Sequence, residues 1–176
     1  MKEINKYIVV KQLNTYIIEK LKINKDSKNI IYSPKTKYEL ISIIIDRVKK
    51  NGIRKMFNGD LNNIDVSSIE DMSGLISIAH RNYDIRLDRL LGNVDISKWD
   101  FSNVKTAQSM FFGCKSFNCN LSNWNIENLE NATAMFAGCQ ELSFDISKWN
   151  PVKLKDSNKT YKMIINTKLE KQDWMR

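Results

Sequence analysis

The side chains able to do chemistry in this chain are few, and their spacing limits what they can do. His80 is the single histidine. A Ser–His–Asp or Cys–His mechanism needs a base held in place by a third group, and only His80 could serve. Its neighbours Ala79 and Arg81 put it in a loop or at a helix end. Cys114, Cys119 and Cys139 form no C-x-x-C pair, and one histidine cannot make an H-x-x-x-H pair, so a closed zinc site lacks its spacing. No dinucleotide-binding glycine motif, P-loop or nucleophile elbow occurs. Asp95, Asn120 and Asp145 recur at intervals of 25 and offer oxygens of the kind calcium takes. Such residues at this spacing more simply hold their own turns through hydrogen bonds to backbone N–H groups. No catalytic residue, cofactor or metal is therefore expected, and the chain is not expected to be an enzyme.

The whole chain sets the frame for these residues. It has 176 residues, 42% hydrophobic and 27% charged, which fits a folded domain rather than a disordered or membrane protein. No run approaches the roughly 18 apolar residues of a membrane span. Met1–Lys11 makes a poor signal peptide, and three unpatterned cysteines without one point to free thiols in a reducing compartment. A cytoplasmic protein of a bacterial host is the expectation. The net charge of +8 is uneven: residues 1–55 carry +9, residues 56–150 carry −5 and residues 151–176 carry +4. Ile, Lys and Asn number 22, 22 and 20, all with AT-rich codons, so part of the lysine excess reflects codon bias rather than a polyanion partner.

A repeat organises the middle. Trp99, Trp124 and Trp149 are 25 apart, and Met110/Met135, Phe111/Phe136, Gly113/Gly138 and Cys114/Cys139 share the interval. Residues 92–116 and 117–141 agree at nine of 25 positions, with rare Trp and Cys among them. A third unit starts in phase at Asp145-Ile146-Ser147 and Trp149, then loses the pattern, with Thr160 at the methionine position. An upstream unit follows at an offset of 35, with Ile64 where Trp99 stands and Leu75 where Met110 stands. The extra ten residues fall within 78–90 and bring in His80, Arg81, Arg86 and Arg89. Val94–Ser97 alternates as a short strand would. Residues 106–112 and 131–137 start with a capping residue and end at Gly113 or Gly138, as short helices do. The tryptophans are expected in the core, since Ile64 replaces one of them.

The expected fold class is α+β: a short leucine-rich-repeat-like solenoid of about four 25-residue units, each a short strand, turn and short helix, with an N-terminal α/β cap and a C-terminal cap. Residues 1–55 form the basic N-terminal cap, with a strand at 29–32 and a helix at 37–50 that Thr36 and Glu39 start as a capping box. Ile4, Ile8, Leu13, Ile17 and Leu21 suggest an earlier amphipathic helix, with a strand over Tyr7–Leu13 as the alternative. Residues 56–158 make the repeat array and 159–176 the C-terminal cap, all in one cooperative domain.

The motif Phe117-Asn118-Cys119-Asn120-Leu121-Ser122-Asn123-Trp124-Asn125, followed by Met135-Phe136-Ala137-Gly138-Cys139, resembles the BspA-like leucine-rich repeat family. The resemblance covers about residues 57–150. Ala107 and Ala132 stand where the family's first methionine is usual, and Met72 keeps it. It implies a curved solenoid used for protein–protein contact, often displayed on bacterial surfaces. Display would need a signal that this sequence does not show.

The expected function is a non-enzymatic module that binds a protein, free or within a nucleoprotein complex, through the solenoid face and the 78–90 insertion. Arg81, Arg86, Arg89, His80 and Lys98 are the candidate contacts, since inserts in repeats map to one face and Arg is enriched at hot spots. An alternative is a phage or mobile-element inhibitor that blocks a host defence nuclease. A second alternative is direct nucleic-acid binding by the basic caps through Lys49, Lys50, Arg54 and Lys55.

Overall fold

The computed structural model describes residues 32–52, 59–83, 86–154 and 158–175, with the backbone alone at 80–83. The amphipathic stretch at 4–21, the strand at 29–31, and Arg54 and Lys55 lie outside the described residues.

Helix α1 spans Lys37–Asn51. The Thr36 side chain accepts from the Glu39 N–H at 3.2 Å, and the Glu39 carboxylate accepts from the Lys35 N–H at 2.7 Å. Lys49 and Lys50 lie in the last turn, and Gly52 ends the helix at φ 95°. Leu40, Ile41, Ile44, Ile45 and Val48 are buried. Helix α2 (Leu75–Tyr83) and the single turn α3 (Leu87–Leu90) fill the insertion, and a 3₁₀ turn covers Asn158–Thr160.

The strand–turn–helix solenoid expected from the sequence is not found. Among the described residues there is no strand, only isolated parallel bridges such as Asp71 with Thr106 and Thr106 with Asn131. Residues 106–112 and 131–137 form no helix. Two physical causes account for this. Asx turns bend the chain every five residues or so, leaving no straight run: Asp95 and Asp100 accept from the N–H groups of Ser97 and Ser102, both at 3.0 Å. In the expected helices, Ser109 and Ala134 sit at φ 54° and 53°, the left-handed region, which breaks any α-helical run.

The repeats are built from turns instead. Within each unit Trp99, Val104, Met110 and Cys114 donate their N–H groups three residues back, to Ile96, Phe101, Ala107 and Phe111. The apolar residues of the repeat are therefore the inner corners of successive turns. Successive units join along a segment that we term a rung. Ala107, Ser109, Phe111 and Gly113 donate to the carbonyls of Asn131, Thr133, Met135 and Ala137 at 2.8–2.9 Å. Ala132, Ala134, Phe136 and Gly138 donate likewise to Lys159, Tyr161, Met163 and Ile165 at 2.9–3.0 Å. That last offset is three residues longer than the repeat. Met163, 1% exposed, thus takes the methionine position assigned from sequence to Thr160, which instead follows Ala107 and Ala132.

The core runs through the stacked units. Trp99, Trp124 and Trp149 are each 4% exposed, so they are packed interior and not a binding stripe. Their indole N–H groups donate to the carbonyls of Leu61, Ile96 and Leu121 in the preceding unit, at 3.0, 3.3 and 3.1 Å. Phe101 stacks on Trp124 with centroids 4.2 Å apart, and Phe111 stacks on Phe117 at 4.5 Å. Helix α1 covers the first unit and is tied to it by polar contacts. Lys37 Nζ reaches Asp71 Oδ2 at 2.6 Å, Lys35 Nζ reaches Ser68 Oγ at 3.0 Å, and Arg47 reaches the Asp60 carbonyl at 3.1 Å.

Candidate partner-binding surface

The rungs create one distinctive surface. Four run side by side: 72–78, 107–113, 132–138 and 160–166, joined by the N–H to carbonyl bonds of Met72, Gly74 and Ile76 in the first and of their counterparts in the next two. At roughly 4.8 Å per step, they span about 14 Å. Gly74, Ser109, Ala134 and Lys162 all have φ between 53° and 60° and form one left-handed column. The partly exposed side chains in the middle are small: Ser109, Thr133 and Ala134. Large apolar groups stand around them. Phe112 is 58% exposed, Tyr161 55% and Ile165 45%. At the α1 end, Tyr38, Lys37, Ser73, Gly74, Ile78, Gln108 and Ser109 line a groove of about 530 Å³. Tyr38 is also 55% exposed. Of the five exposed large hydrophobic residues among those described, only Val152 lies off this surface.

The thiols and carboxylates of the repeat are engaged within the fold. The three thiols are buried. Burial pushes Cys119 up to about 11 and Cys139 up to about 12, and raises Cys114 well above its ordinary value. All three stay protonated at neutral pH, and the thiolate is the nucleophile and metal ligand. Cys139 donates its S–H to the Phe111 carbonyl at 3.1 Å. The Asx carboxylates are likewise engaged by the backbone. The Ser97 N–H holds Asp95 below the usual carboxylate range, and the Ser67 and Ser147 hydroxyls do the same for Asp65 and Asp145.

Of the residues proposed from sequence as contacts, Arg86, Arg89 and Lys98 lie off the rungs. Arg86 and Arg89 are exposed at α3, and Asp88 chelates the Arg86 guanidinium at 2.8 and 2.5 Å. Lys98 is exposed at the Asx corner of the next unit, where its N–H donates to Asn62 Oδ1 at 2.8 Å. No hydrogen bond or ion pair among the described residues joins it to the arginines. His80 and Arg81 fall within α2, and their side chains lie outside the described residues. Lys49 and Lys50 are exposed at the end of α1, with Lys50 paired to Asp46 at 2.7 Å.

Sequence reasoning missed Phe112, Tyr161 and Ile165. The alignment of Phe112 with Ala137 was visible, but nothing in it marked the position as outward-facing. Tyr161 and Ile165 join the same columns only once three extra residues are allowed in the last unit.

Residues 52–174, well over half of the chain, match the family described as Mycoplasma protein of unknown function, DUF285. The chain belongs to that family. DUF285 is a family of BspA-like repeats, which supports the resemblance read from the sequence at family level. No curated protein and no solved structure matches the chain. Among the described residues of this DUF285 member, no helix is long and apolar enough to cross a membrane.

Proposed function

We propose that this DUF285 member is a protein-binding module whose docking surface is the face of the rungs. One observation carries this reading: Tyr38, Phe112, Tyr161 and Ile165 stand exposed around a floor of small side chains whose backbone is already fixed by inter-rung bonds. Exposed apolar groups gathered on one face mark interaction sites, and aromatic residues anchor most interfaces. A floor of hydrogen-bonded turns loses little freedom on binding, which favours affinity. The family-level likeness to BspA-like repeats, for which the resemblance implies protein contact, points the same way. The reading moves the contact surface from the 78–90 insertion to the rungs, because Arg86 already has its carboxylate.

Site-specific photo-crosslinking in native host cells tests it. A probe at Phe112 or Tyr161 should capture one protein, and a probe at Asp100 or Asn125 on the Asx corners should not. Equal capture from both sets, or none from the rungs, would count against the reading. Capture of nucleic acid by probes near Lys49 and Lys50 alone would favour a basic-cap function instead.

A further inference from the structure

The rungs differ from an ordinary parallel ladder in one respect. A strand in such a ladder donates and accepts on both sides. Here the bonds along the rungs run one way: N–H groups of Met72, Gly74 and Ile76 donate to the second rung, those of Ala107 through Gly113 to the third, and those of Ala132 through Gly138 to the fourth. Only at the flanks do Thr106, Asn131 and Lys168 donate back, to Glu70, Lys105 and Leu142. The left-handed column turns the peptide groups alike, so their dipoles add across the stack as they do along a helix. The carbonyl end, at the first rung, meets a cation: Lys37 Nζ, on a side chain 12% exposed, donates to the Ser73 carbonyl at 3.1 Å. At the opposite end the N–H groups next in register belong to Thr160 and, beyond it, to Lys162, Ile164 and Asn166. The N–H groups of Lys162, Ile164 and Asn166 donate no hydrogen bond among the described residues.

We propose that the fourth rung, 160–166, takes an extended acidic segment of the bound protein as a fifth rung, its carbonyls at alternate residues accepting from Lys162, Ile164 and Asn166. This rests on the protein-binding reading and names the chemistry of the partner. Added strands on open edges are a recurrent mode of peptide recognition. Charge selects an acidic occupant: the aligned dipoles end positive here, Lys162 is exposed on the rung itself, and residues 151–176 carry +4. Tyr161 and Ile165, exposed beside the donors, offer apolar contact to the segment's side chains. A second copy of the chain fits poorly. Its own fourth rung offers the same donors, and helix α1 covers its first unit, where Lys37 already serves the Ser73 carbonyl.

Amide NMR on the intact chain provides the test, with a short synthetic peptide alternating glutamate and valine as probe and its lysine counterpart as control. In the free protein, the amides of Lys162, Ile164 and Asn166 should exchange with solvent much faster than those of Ala134, Phe136 and Gly138. The glutamate peptide should shift the three amides and slow their exchange, the lysine peptide should not, and Lys162→Glu should weaken binding about tenfold, the size of one charge-assisted contact. Slow exchange of the three amides in the free chain, no shift with the glutamate peptide, or equal shifts with both peptides would overturn the proposal. If crosslinking at Phe112 still captures a protein after such a result, the docking surface stands and only the fifth rung falls. Failure of both removes both.

Discussion

Trp124 donates its indole N–H to the carbonyl of Ile96 in the preceding unit, at 3.3 Å. Trp99 and Trp149 repeat the bond to Leu61 and Leu121. Each of these carbonyls also accepts a backbone N–H from within its own unit, so one oxygen closes a turn and ties the next unit to it. The tryptophan column is thus both apolar filling and a polar tie between units, and replacing the ring tests the two roles separately.

Trp124→Phe keeps most of the apolar ring and removes the donor. It should lower stability by about 1–2 kcal/mol, one buried hydrogen bond and a small void. Trp124→Ala should cost about 3–5 kcal/mol. Urea unfolding monitored by far-ultraviolet circular dichroism separates them; equal losses for both would mean that the tie contributes little beyond ring volume.

Lys37 ties helix α1 to the first unit through Asp71 and Ser73, donating to Asp71 Oδ2, the Ser73 hydroxyl and the Ser73 carbonyl at 2.6, 2.9 and 3.1 Å. Lys37→Met retains the stem and removes the donors, so the cost should be about 1–3 kcal/mol. Asp71 itself is half exposed and can turn to water, so Asp71→Asn should cost less. Urea midpoints decide it, and an Asp71→Asn loss as large as that of Lys37→Met would contradict the part assigned to the Ser73 contacts.

How much of this was legible in the sequence follows from the same residues. Trp99, Trp124 and Trp149 announced the 25-residue stacking, and the Asx residues announced their turns, because one residue type at one spacing sufficed. Secondary structure did not follow from the pattern. Apolar residues at Ile96, Trp99, Phe101, Val104, Ala107 and Met110 are two or three apart, a spacing that strands, helices and turn corners share. What decides is the left-handed backbone at Ser109 and Ala134, and neither residue advertises it. Met163 was hidden by three extra residues. The rung surface was hidden because no sequence pattern shows which way Phe112 faces. The arginines drew attention by breaking the rhythm, while the Asp88 that occupies Arg86 sat two residues away.

The buried thiols should be inert in the native protein. With Cys119 near 11, Cys139 near 12 and Cys114 also raised, iodoacetamide at pH 7.5 should label none of them until the chain is unfolded, when all three react. Mass spectrometry reads the count. Rapid native labelling of any one would contradict the packing described for the core.

Acid should loosen the Asx corners. The carboxyls of Asp65 and Asp95 are held below 3.8 by bonds to Ser67 and Ser97, and Asp71 is lowered because its bonds to Lys37 and Ser73 outweigh its burial. A lowered folded-state pKa gives stability that is present above the unfolded value and lost as pH falls through the folded one. Unfolding free energy should therefore change little from these groups between about pH 7 and 5 and decline below about pH 4. Thermal scans across that range check it; stability rising toward pH 3 would have the wrong sign for these carboxylates.

The surface formed by the rungs can be altered without disturbing the core. Phe112→Ser and Tyr161→Ser remove exposed ring area without touching the core, so the double variant should unfold at nearly the wild-type temperature. Crosslinking from a probe at Ile165 in native host cells should then lose the partner that it captures in the wild-type chain. Undiminished capture by the doubly substituted, fully folded protein would contradict the assignment of this face as the binding surface.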